Sequence, residues 1–207
     1  MAKKLFLTLS IIAFFASCGT RRNVVQNPAT FDEGVVINGV RWATRNVDMP
    51  GTFAETPESF GMLFQWNRKK GWSATDNIVD YWGRIPEGTK WYAENDPCPE
   101  GWRVPTREEL KSLYNAKNEW GTLNDVNGHY FGTKPNQIFL PAVGFRCGWN
   151  RTLGGVGIIG NYWSNTQEDT ESAIGLGFLG GLEGVCNYVG VCRGWRLNGN
   201  SIRCVAK

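Results

Sequence analysis

The sequence has 207 residues, with 22 Lys and Arg against 19 Asp and Glu, a single His and a formal net charge of +3. So even a balance argues against nucleic acid or an anionic membrane surface as a partner, since such partners call for an excess of basic side chains. One His leaves no second one for a His-paired zinc site, and ten Trp beside 26 Gly favour tight turns and ring-packed loops over long helices.

In chain order, Lys3 and Lys4, the apolar stretch Leu5 to Phe15 and the small residues Ala16 and Ser17 are the three regions of a secretory signal. The stretch falls well short of the ~20 residues that cross a bilayer as a helix, so residues 1–17 are expected to be cut away. Phe15-Ala16-Ser17-Cys18 resembles the lipobox of bacterial lipoproteins, with Phe15 where that motif usually carries Leu. The resemblance implies that Cys18 is acylated and becomes the new N-terminus, so that the membrane is a partner through the lipid. The expected location is the cell envelope, at the outer membrane, on its periplasmic or its exterior face. Loss of Lys3 and Lys4 with the signal leaves a net charge of +1.

Residues 18–33 read as the lipidated N-terminus and a tether, with several turn formers and no periodicity. Residues 34–207 are long enough for one domain with its own core. Val35-Val36-Ile37 and Val40-Arg41-Trp42 flank Asn38-Gly39, the dipeptide that tolerates the two positive φ values of a type I′ turn, so a β-hairpin is predicted. From Thr56 to Trp66, helix and strand signals conflict and the segment stays open. Thr106 and Glu109 have capping-box spacing, and Leu110, Leu113 and Tyr114 share one face, so a helix is predicted over about 106–116. Strands are expected at 128–131, 138–140, 161–164, 173–178, 184–189 and 201–205, separated by Gly-rich turns. No repeat of 20 to 50 residues appears. The predicted class is α+β, a mostly antiparallel sheet with one principal helix and long Gly/Trp-rich loops.

Five blocks then occur in order: Gln65 to Lys70, Asp96 to Thr106, Phe139-Leu140-Pro141-Ala142, Tyr162-Trp163-Ser164 and Ile202-Arg203-Cys204-Val205. Together they resemble the Fibrobacter succinogenes major paralogous domain, over roughly residues 34–207. That family, found in lipoproteins of Bacteroidetes and their relatives, implies a C-type-lectin-like fold, shared with the formylglycine-generating enzymes. It also implies a disulfide between Cys98 and Cys204, closing a loop of about 105 residues worth several kcal/mol in the chain-entropy model, and it makes Trp102 and Trp163 core rings. Cys147, Cys186 and Cys192 remain; Cys186 and Cys192 are close enough to join across a short hairpin, but sequence leaves the connectivity open.

No catalytic constellation emerges, and the chain is read as a non-enzyme without cofactor or metal. His129, in Asn127-Gly128-His129-Tyr130, reads as structural. The Gly runs lack the Lys-Ser/Thr of a phosphate cradle. Cys186 and Cys192 loosely resemble the copper-binding thiol pair of formylglycine-generating enzymes, which makes a thiol/copper oxidase the remotest alternative. The calcium-dependent sugar motif of true C-type lectins is absent, Lys134-Pro135-Asn136 being the nearest string. Binding is the better reading: Trp149, Tyr188, Arg193 and Trp195 lie in expected loops outside the five blocks and are the candidate contacts for a carbohydrate or protein ligand. The expectation is a binding or adhesion module; the rival is a structural accessory subunit of a surface assembly.

Overall fold

The computed structural model describes residues 27–76, 83–180 and 188–207. The predicted hairpin is β1 (Val35–Ile37) paired antiparallel with β2 (Val40–Trp42), with Asn38 and Gly39 at φ values of 49° and 82°. The undecided segment is extended, giving β3 (Met62–Gln65), which pairs with β4 (Gly71–Ser73). After β5 (Trp102–Arg103) comes the helix α1 (Arg107–Tyr114). Its capping box is complete: Glu109 N donates to Thr106 Oγ1 at 3.2 Å and Thr106 N donates to Glu109 Oε2 at 2.7 Å. It stops earlier than predicted because the Asn118 amide donates to the carbonyls of Tyr114 and Ala116, taking the place of further helical bonds.

The chain then runs through β6 (Asn118–Leu123), β7 (Val126–Thr133) and β8 (Asn136–Pro141), a three-stranded meander, followed by the short β9 (Phe145–Arg146) and β10 (Leu153–Gly154). Next come β11 (Ile159–Gln167), β12 (Ser172–Leu179) and β13 (Tyr188–Trp195), and finally β14 (Gly199–Asn200) and β15 (Val205–Ala206). The expected strand at 184–189 is described only from Tyr188 onward; 184–187 lie outside the described residues. Of the expected strand at 201–205 only Val205 belongs to one, β15, with Ser201 in an isolated bridge; β14 precedes it. β14 joins the sheet β10-β9-β14-β3-β4, while β15 lies between β2 and β5 in the sheet β1-β2-β15-β5.

The expected α+β, C-type-lectin-like class is overturned. Among the described residues strands hold 43% and helical turns 7%, in four sheets of antiparallel strands, a mostly-β, sandwich-like arrangement. A strong capping box makes α1 conspicuous in sequence, yet eight residues are too few to form a layer of their own. Neighbouring residues of β11 divide the interior: Tyr162 packs with Leu110, Phe131 and Phe178, whereas Trp163 packs with Trp66, Val104 and Ile202, as strand alternation requires. Trp102 and Trp163 are core rings, and Cys98 is bonded to Cys204 across a sequence separation of 106.

Within the stretch read as tether, residues 27–33 dock on the domain. Asp32 is buried and accepts from Thr44 N, Thr44 Oγ1 and Arg45 Nε, while Arg45 Nη1 reaches the carbonyls of Pro28 and Ala54.

Candidate functional site

On the Trp163 side of the β11-β12-β13 sheet, Gly175 and Gly194 replace bulky side chains. A Cβ on Gly194 would stand 2.8 Å from the Trp163 ring, and one on Gly175 would stand 2.6 Å from the Tyr162 carbonyl oxygen. The two glycines therefore let β11 and its Trp come close. Beside this thinned face the chain returns through β14, Ser201 bridging in parallel to Tyr162, and a cleft of about 190 Å³ is left open. Trp163, Arg193, Trp195, Asn198 and Asn200 are among its lining residues.

Of the predicted contacts, Trp195 and Arg193 line this cleft, and Trp149 packs on Trp195 beside it. Trp149 is 74% exposed and packs edge-to-face on Trp195, with ring centroids 5.3 Å apart at 64°. Its loop is held by Gly148 N donating to Asn198 Oδ1 at 2.9 Å, and is closed by Cys147 N to Thr152 O and Arg151 N to Cys147 O. Arg193 also lines the cleft, but its guanidinium is engaged: Nε donates to Ser172 Oγ at 2.9 Å and Nη2 lies 2.7 Å from Asp169 Oδ2. The backbone N–H of Glu171, with that of Ser172 and the Arg193 charge, holds the Asp169 carboxyl below the usual carboxylate range. Tyr188, 53% exposed, lies elsewhere. It starts β13, roughly 23 Å of strand from Trp195, and borders a groove with Arg107, Lys111 and Tyr114 of α1.

The cysteines divide as follows. Cys18 and Cys186 lie outside the described residues, so the expected Cys186–Cys192 pair has one member in view. Cys192 and Cys147 carry free thiols. Burial pushes the Cys192 thiol up, with the backbone at Gly177 opposing it, which disfavours the thiolate needed for metal binding or attack. Among the described residues no three His, Cys, Asp or Glu side chains are placed to share a metal ion, and no helix is long and apolar enough to cross a membrane. His129 is not among the residues that line the cleft, and its Nε2 lies 2.9 Å from Asn118 Oδ1.

Asn198 and Asn200 were not foreseen as site residues. Asn198-Gly199-Asn200 carries the chemistry of a turn, and only the β14 pairing with β3 and β9 brings it against the cleft. No protein-family model, curated protein or solved structure matches the chain.

Proposed function

We propose that this chain is a cell-envelope lipoprotein that acts as a binding or adhesion module. In this reading residues 1–17 leave as a signal, acylated Cys18 anchors the rest at the outer membrane, and the ligand meets the domain at the Trp149–Trp195 face. The observation that carries the binding site is the exposed Trp149 ring, packed on the half-buried Trp195 that lines the cleft and fixed there by a tight loop. Large rings held exposed at a concavity supply contact area at little conformational cost. Support for placing the chain with the Fibrobacter succinogenes major paralogous domain family is the order of the five sequence blocks alone.

Two measurements test the reading. Cys18→Ala should move the protein out of the membrane fraction of the producing cells; a variant that still sediments with membranes sinks the lipid anchor. Labelled full-length protein should be retained on an immobilised envelope preparation. The double variant Trp149→Ala, Trp195→Ala should lose most of that retention with its melting temperature unchanged. Failure of the wild type to bind would remove the binding role and leave the accessory-subunit reading, whereas unaltered retention of the double variant would move the site elsewhere.

A further inference from the structure

We propose that the cleft beside Trp195 takes one neutral sugar ring, with a sugar hydroxyl donating to Asn200 Oδ1; this rests on the binding-module reading and specifies its ligand. Asn200 is 5% exposed, and its Oδ1 is buried with no hydrogen-bond partner. Other buried polar atoms without partners, such as Trp42 Nε1 and His129 Nδ1, belong to residues outside the cleft lining. Native interiors seldom leave such a group unsatisfied without a reason. If the amide is turned over, the orphan becomes its NH₂ end, which a hydroxyl satisfies equally well as an acceptor.

Charge, size and the nature of the walls narrow the ligand. Among the described residues Arg193 alone of the lining is charged, and its guanidinium is already bound by Asp169 and Ser172, so none of them calls for an anion or a cation. A cleft of about 190 Å³ has room for one small ring rather than a chain. Asn161, Asn198 and Asn200 bring amides, which both donate and accept, and Trp163 and Trp195 bring aromatic faces suited to the C–H side of a pyranose.

The test is isothermal titration of the full-length protein, in a detergent without a sugar headgroup, against glucose, galactose, mannose, xylose, N-acetylglucosamine and the anionic glucuronate. At least one neutral sugar is expected to saturate the site and to exclude glucuronate. Asn200→Ala should weaken it about fivefold to tenfold, the worth of one hydrogen bond. Without sugar, Asn200→Ala should melt no lower than the wild type, because it removes an unsatisfied group. If Asn200→Ala unfolds, Asn200→Ser provides the same ratio. Equal affinity in wild type and variant, or tighter binding of glucuronate, overturns the proposal. So does an absence of sugar binding in a protein still retained on envelope through Trp149 and Trp195, a result that leaves the module reading intact. Periodate treatment of the envelope should abolish retention and protease should not; the reverse pattern also overturns the sugar while sparing the module.

Discussion

His129 is 3% exposed, and its ring packs against those of Phe131 and Phe178, at 5.0 and 5.4 Å between centroids. Burial pushes its pKa down to about 4, with Glu119 opposing. The folded ring thus stays neutral while an unfolded one, near 6.5, takes up a proton. Its contribution is complete above pH 6.5 and is lost as the pH falls toward 4, about 3 kcal/mol in all. Unfolding free energies measured at pH 7 and pH 4 should differ by that much more in the wild type than in His129→Gln, which keeps an amide for Asn118. Equal differences would mean that the ring is hydrated. Other buried groups were beyond reading from the chain. Arg203 is fully buried and held by Asn46 Oδ1 and the carbonyls of Ala43 and Phe139; Arg196 lies over Trp66 at 4.3 Å and donates to the carbonyls of Pro86, Gly88 and Thr170. Residue type predicts exposure for both. Acceptors so far apart in sequence give no local sign, whereas Trp149 and Trp195 could be singled out by type even though their contact could not.

Among the elements, those legible in sequence were the ones decided by near neighbours. The Asn38-Gly39 hairpin rests on two φ angles and α1 on four residues of capping box. β3, β14 and β15 were obscure because each is a strand by virtue of distant partners: Gly199 faces both Gln65 and Arg146, and Val205 faces both Trp42 and Arg103. The start of α1 also carries tertiary load. Glu109 receives Arg103 through both carboxylate oxygens, at 2.8 and 2.6 Å. Burial alone would raise its pKa, yet Arg103 and Thr106 outweigh burial and hold the carboxyl below its ordinary value. Thr106→Ala removes one half of the capping box and should lower stability by about 1 kcal/mol, roughly 2–4 °C in melting temperature at this size. A scan showing no shift would mean that the Arg103–Glu109 pair alone fixes the helix start.

For the whole molecule, the Cys98–Cys204 bridge ties the segment before β5 to the strand beside it. Opening a loop of 106 residues should cost about 3–5 kcal/mol in the chain-entropy model. Cys98→Ala should therefore melt on the order of 10 °C lower than the oxidised wild type, and reduced wild type should approach the variant; indifference to reductant would show that the barrel of contacts around Ile202 and Trp102 suffices alone. The cysteine pairing came from a resemblance among short blocks, which also carried the C-type-lectin-like expectation, while the α+β class was misread from the prominence of α1. Blocks of buried Trp, Cys and Pro record local packing demands, and several sheet arrangements can meet them.

The position of β15 between β2 and β5 has a temporal consequence. The ribosome makes β2 long before β15, so the early hairpin has no neighbour on that side until residue 205 has emerged. Pairings between such distant parts of a chain form slowly. The β2 edge therefore waits, unpaired on that side, while the residues between Trp42 and Val205 are made, and this sheet is completed late.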